Sequence, residues 1–124
     1  HDPIESIFTA EDVLEFQSLV RKVPVSEEVV RYAVKLSASS RPSDPNAPDF
    51  VKEWISWGAG TRAAQALVLA GKARALWHSR AHVTKDDIVQ LAPPVLRHRV
   101  LLNYRAEAQG ETVETVIQKL LDNA

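Results

Sequence analysis

TRAAQALVLAGKARALWHSR, residues 61–80, decides the reading of this chain: six alanines and no proline stand in twenty residues. Alanine is the strongest helix former, so the spacing predicts one long helix from about Thr61 to Arg80. Small side chains at that density let a neighbouring helix approach closely. Gly71 costs about 1 kcal/mol relative to alanine inside a helix and is expected to mark a close backbone contact.

Outward from this segment, three helix starts share one pattern. A hydrophobe precedes a Ser or Thr, and a second hydrophobe follows four positions after it: Phe8, Thr9 and Val13; Val25, Ser26 and Val30; Val83, Thr84 and Ile88. The hydroxyl can accept an otherwise unpaired amide N–H while the two hydrophobes pack together, and Asp12 and Asp87 add a carboxylate three residues after their caps. The first helix is expected from Thr9 to Val23, with Val13, Phe16, Val20 and Val23 on one face and Pro24 as its stop. A second runs from Ser26 to Ser40, with Glu27 and Glu28 at the positive end of its dipole and Val29, Ala33 and Leu36 as its stripe. A fourth starts at Thr84 and is expected to break or kink at Pro93-Pro94, with a second piece over Val95 to Leu102. The last covers Thr112 to Asp122, turning Val113, Val116, Ile117, Leu120 and Leu121 inward.

Residues 41–60 differ in composition. Pro42, Pro45 and Pro48 alternate with Ser43, Asp44, Asn46 and Asp49, which argues against helix and for an exposed loop. Phe50, Val51, Trp54, Ile55 and Trp57 then read as extended chain anchored on the core, with one short strand as an option. The fold class expected is all-α, a small bundle of about five helices with a proline-rich loop.

The chain of 124 residues carries 15 basic and 16 acidic side chains, 45% hydrophobic residues and a mean hydropathy of -0.17. No apolar run is long enough for a membrane span and no secretion signal is visible, so a cytoplasmic protein is expected. The absence of cysteine excludes disulfides, thiolate catalysis and Cys-ligated metals. The absence of methionine suggests a piece of a longer chain. Charge is uneven: residues 1–62 hold seven basic and ten acidic groups, whereas residues 72–105 hold seven and two. Such a local field suits an anionic partner or forms a solvated face.

No phosphate-binding loop of the G-x-x-x-x-G-K-[ST] type is present, so nucleotide hydrolysis is not expected from these residues alone. His78 and His82 stand four apart, but without the glutamate of H-E-x-x-H or a third ligand they read as helix-end residues, and no metal site is assigned. Arg74, Arg80, Lys85, Arg97, His98 and Arg99 raise the alternative of a helix-turn-helix nucleic-acid module, although no recognition helix stands out. Trp54 and Trp57 raise another, a stand-alone helical adaptor that binds protein. The most informative stretch is Gly58-Ala59-Gly60-Thr61-Arg62-Ala63-Ala64. It sets Arg62 in the first turn of the alanine-rich helix, where free amides and the helix dipole suit a phosphate and the glycines allow close approach. From spacing alone, a loop-ending arginine salt-bridged to a neighbour is the other option.

These same residues, followed by His82-Val83-Thr84-Lys85-Asp86-Asp87-Ile88 and then Leu91-Ala92-Pro93-Pro94-Val95-Leu96-Arg97-His98-Arg99-Val100, closely resemble the C-terminal lid of MoxR-type AAA+ ATPases. His1-Asp2-Pro3 resembles the end of the preceding ATPase core, so the resemblance implies a linker over residues 1–8 and a helical lid over 9–124. It also implies that Arg62 is the sensor 2 arginine, touching the γ-phosphate of ATP with Gly58, Gly60 and Thr61 beside it. The family pattern is usually G-A-S-P-R-A. Gly60-Thr61 replaces Ser-Pro here, and Thr61 is expected to cap the helix. By resemblance, the P-loop lysine and the acids that hold Mg2+ lie outside this sequence. The partners implied are the chain's own ATPase core, neighbouring subunits of a homo-hexamer and an unidentified client protein that is remodelled or activated, with no nucleic acid and no membrane span.

Overall fold

A computed structural model describes residues 9–124, and in them seven helices and one two-stranded sheet follow in the order α1 (Ala10–Lys22), α2 (Glu27–Ser39), α3 (Asp49–Trp54), β1 (Ile55–Trp57), α4 (Thr61–Trp77), α5 (Lys85–Leu96), β2 (Leu101–Leu102), α6 (Tyr104–Ala108) and α7 (Val113–Asn123). The linker assigned to residues 1–8, and Phe8 of the first staple, lie outside the described residues. The expected helical bundle is present, with a short strand pair.

Helices α1, α2, α5 and α7 begin where their hydroxyl caps predict. Thr9 Oγ1 accepts from the Asp12 amide at 3.1 Å and Asp12 returns a carboxylate to the Thr9 amide at 3.0 Å; Thr84 with Asp87 and Thr112 with Thr115 repeat the exchange. Ser26 caps α2 through the Val29 amide. These bonds satisfy donors that a helix start leaves unpaired.

Helix α4 is the axis of the bundle and packs most extensively against α5 and α2. Its Ala63, Leu67 and Ala75 join Ala33 and Leu36 of α2, Ile88 and Leu96 of α5, and Ile117 and Leu120 of α7 in one core. Gly71 faces Val83 and Ile88 at the start of α5. A Cβ there would stand 3.1 Å from Val83 Cγ1 and 3.2 Å from Ile88 Cδ1, so the close contact expected of this glycine is real.

Several expectations are corrected. The inward stripe of α1 shrinks to Val20 and Val23, while Val13 and Phe16 are exposed. Residues 49–54 form a helix, because Pro48 is its N-cap, a position whose missing N–H costs nothing, and Asp49 favours the first turn. Helix α5 continues through Pro93 and Pro94 to Leu96. Both prolines remove ladder bonds, but the full burial of Ile88, Ala92 and Leu96 holds the segment, and the Arg97 amide already bonds Pro93 O at 3.0 Å. Instead of a helix through Leu102, the chain turns and β2 pairs antiparallel with β1 across an irregular register. Helix α6 was not foreseen. Its cap Asn103 donates from Nδ2 to Glu53 O at 2.6 Å and from its amide to Trp54 O at 2.8 Å, tying α6 to the end of α3.

Helix α4 stops at Trp77, short of Arg80, through a left-handed Ser79 (φ 56). The Arg80 amide then reaches back to Ala75 O at 2.8 Å, the wrapped helix ending in which the residue after the left-handed position bonds five residues back. This reversal delivers Arg80 to Asp87. Asp87 is completely buried, and its oxygens accept from Arg74 Nη1 at 2.7 Å, from both terminal nitrogens of Arg80, and from the Thr84 amide at 2.8 Å. Burial favours the neutral acid, but the bonds from Arg80, the Thr84 amide and Arg74 outweigh it and hold the carboxyl well below the usual carboxylate range.

Asp87→Asn is therefore expected to lower stability by about 3 kcal/mol at pH 7, measured by urea denaturation, because Arg80 loses its charge partner and Arg74 is left with Asp86 alone, 3.5 Å away. A depressed carboxyl stabilises fully above its unfolded pKa of about 4 and loses that contribution as pH falls towards its folded value, so the gap between parent and variant should narrow below pH 4. Ser79→Gly, which relieves a left-handed non-glycine residue, should raise stability by about 0.5–1 kcal/mol in the same measurement.

Candidate functional site

The glycine-rich turn before α4 is built against the end of α2. A Cβ on Gly58 would lie 2.2 Å from Ser40 O and 2.6 Å from Arg41 Cα, so only glycine fits. Ser40, itself buried, accepts the Ala59 amide on its Oγ at 2.9 Å, and the Arg41 guanidinium lies 3.4 Å from Ala59 O. Gly60 is different. Nothing stands within 4 Å of the place its Cβ would occupy, and its backbone is extended (φ -81), so its small size leaves open space in front of α4.

Gly60, rather than Thr61, is the N-cap of α4, and no side chain caps this helix. The expected capping role of Thr61 is thus corrected: it is already helical, one residue too late for its hydroxyl to serve as the cap. The first turn holds no acidic residue. Its leading amides therefore keep their partial positive charge uncompensated by side chains.

Arg62 is exposed in that first turn, and among the described residues no ion pair or hydrogen bond restrains it. The neighbour expected from the salt-bridge option is not found there. Gly58, Gly60 and Arg62 share a cleft of about 570 Å³ with Arg97, His98, Arg99 and Leu101, and Trp57, 73% exposed, lines it too. Thr61 faces elsewhere, into an apolar groove with Val30, Val34 and Leu69. Three of the four residues picked from the sequence are thus brought together and the fourth is not.

The second basic group in the cleft was missed as part of this site. Arg97 to Arg99 were grouped with Arg74, Arg80 and Lys85 as one basic stretch, and the fold separates them. Arg74 and Arg80 are engaged by Asp87, and Lys85 pairs with Glu28 at 3.1 Å and lies over the Tyr32 ring. The turn after α5 brings Arg97 to Arg99 into the cleft at the start of α4, just before β2 pairs with β1. Among the described residues, no cluster of His, Asp or Glu could hold a metal ion, and no helix is long and apolar enough to cross a membrane.

A family model for the AAA lid domain matches residues 49–120, from α3 into α7 and including the whole cleft. The chain belongs to this family. It is 31% identical over 94% of its length to Chaperone MoxR1 of Mycobacterium tuberculosis, and 28% identical over 97% to the uncharacterized protein YeaC of Bacillus subtilis. A crystal structure of a putative ATPase from Cytophaga hutchinsonii matches 92% of the chain with a TM-score of 0.84 and 35% identity. The family model, the MoxR1 match and the structural neighbour are consistent with the C-terminal lid of a MoxR-type AAA+ ATPase. The lid spans about a third of the length of each relative, covering 31%, 35% and 34% of them respectively.

Gly58→Ala should cost more than about 2 kcal/mol, since the new methyl meets backbone that cannot step aside, whereas Gly60→Ala, with open space around it, should cost about 1 kcal/mol or less, the ordinary loss for alanine at an N-cap. Paired thermal melts check this contrast.

Proposed function

We propose that this lid serves a longer AAA+ ATPase, that Arg62 is its sensor 2 arginine, and that the lid couples nucleotide state to subunit assembly and to remodelling of a client protein. One observation carries the reading. Arg62 projects from an uncapped helix start into a cleft lined by cationic groups and, among the described residues, by no acid. A guanidinium stays charged at any working pH and presents several donors in a fixed fork, which suits the oxygens of a transferring phosphoryl group. Its role is electrostatic: it stabilises charge that grows on those oxygens as the terminal bond breaks.

The donor set fits a polyphosphate and does not fit a bare cation. With no carboxylate in the cleft, Mg2+ would be held by the phosphates and by acids beyond this chain, and the P-loop would lie there too. The 124 residues alone are accordingly expected to be inactive. Homo-hexamer formation and a cytoplasmic location belong to the same proposal. The lid's part is to move with the nucleotide and pass that movement to its neighbour.

Arg62→Ala in the full-length protein should lower ATP turnover on the order of 100-fold, the size of effect seen when one charge-stabilising donor is removed. The melting temperature should stay unchanged, because Arg62 is exposed. Parental turnover in this variant would remove the sensor assignment.

A further inference from the structure

Val13, Leu14, Phe16 and Leu19 stand exposed along the first part of α1, with the acids Glu11, Asp12 and Glu15 interspersed among them. Only the far end of the helix, at Val20 and Val23, is buried. Residues 10–19 thus form an acidic, apolar head that nothing among the described residues covers. A second uncovered surface lies on α4. Leu69, 51% exposed, divides two apolar grooves, one of about 440 Å³ that runs to Val34 of α2 and one of about 490 Å³ that runs to Pro94 and Val95 of α5. Their rims are basic. Arg21 borders both grooves, Lys72 the first and Arg99 the second, and among the described residues no acid lines either. Lys72 donates to Arg21 O at 3.4 Å and Arg99 to Val95 O at 2.6 Å, while none of the three cations has an acidic partner among the described residues.

We infer that the α1 head of one copy of this chain docks into the paired grooves of a second copy, its acids facing the second copy's Arg21, Lys72 and Arg99. The head carries what the grooves lack: apolar side chains to cover Leu69 and Val34, and three carboxylates to meet three unpaired cations. It cannot serve its own grooves. Helix α1 is continuous from Ala10 to Lys22 and its Val20 end is anchored in the core, so its head cannot fold back onto the surface beside it. Such a contact uses different patches on its two sides, as the subunits of a ring do. The inference rests on the subunit assembly proposed above and names the surfaces that the lids bring to it.

The test uses the full-length protein with ATP present and reads, by sedimentation velocity, the concentration at which half of it is assembled. One variant reverses the head, Glu11→Lys with Glu15→Lys, and leaves Asp12 to hold the Thr9 cap. Another reverses the rim, Arg21→Glu with Lys72→Glu. Each should raise that concentration about tenfold, because two attractive pairs become repulsive, and both reversals in one chain should restore the parental value. Leu14→Ser and Leu69→Ser change no charge, and each should weaken assembly about fivefold with an unchanged melting temperature, since both side chains are exposed in the lid. Melting curves identify any variant that has lost its fold, and the exposed Leu14 site then still decides the matter.

Parental assembly in the charge variants and the serine variants would overturn the docking and leave the proposed subunit assembly standing. A parent protein that does not assemble would overturn both. Weakened assembly in each charge variant with no rescue in the combined chain would also overturn the inference, because the two surfaces would then meet other partners, such as the chain's own ATPase core, rather than each other.

Discussion

A carboxylate taken fully out of water must have its oxygens engaged, and the lid is arranged so that those of Asp87 are. Arg74 comes from the body of α4, Arg80 from beyond its end, and the Thr84 amide from the cap of α5. The bonds reach their donors only if α4 stops at Trp77, if the chain reverses through Ser79, and if α5 starts at Lys85. The same geometry sets α5 close enough to α4 that a side chain at Gly71 would press on Val83 and Ile88. From there α5 runs to the turn that carries Arg97 to Arg99, and the β1–β2 pairing takes the chain on past the cleft. A buried charge network is poor evidence for high stability, but it is demanding about geometry, and geometry is what this pair of helices supplies.

Helix starts were legible in the sequence because their signals are local. Thr9, Ser26, Thr84 and Thr112 bond to amides three residues away, and nothing distant is needed to form the cap. Asp87 was legible as a cap partner for the same reason. Its second role was not, because the arginines that pair with it become neighbours only after α4 and α5 have packed. The short elements escaped for a related cause. Helices α3 and α6 and strands β1 and β2 hold one another through Asn103 and the Ile55–Leu102 pairing, contacts that span most of the distance from α3 to α6 along the chain.

The candidate site divides along the same line. Gly58, Gly60 and Arg62 fall within five residues, so their chemistry could be read as a unit, whereas the steric need for glycine at 58 comes from packing against Ser40 and Arg41. The basic turn opposite could not, since composition showed only a stretch of positive charge. Tertiary structure separates that stretch into cations consumed by the core and cations left facing the cleft. Proline reasoning failed at Pro93 and Pro94 because it weighed backbone bonds alone. Three fully buried side chains on one face of α5 hold that helix against the loss.

The contact of Gly58 with Ser40 and Arg41 has a mechanical meaning. With its turn pinned to α2 by that packing and by the Ala59–Ser40 bond, Arg62 has no slack in front of it and cannot reach for a ligand by loop extension. Its guanidinium can swing only as far as its own side chain allows. On the proposed nucleotide reading, any larger approach or withdrawal would require the helical body to swivel as one piece, so the position of a single arginine would become a pointer to the angle of the bundle.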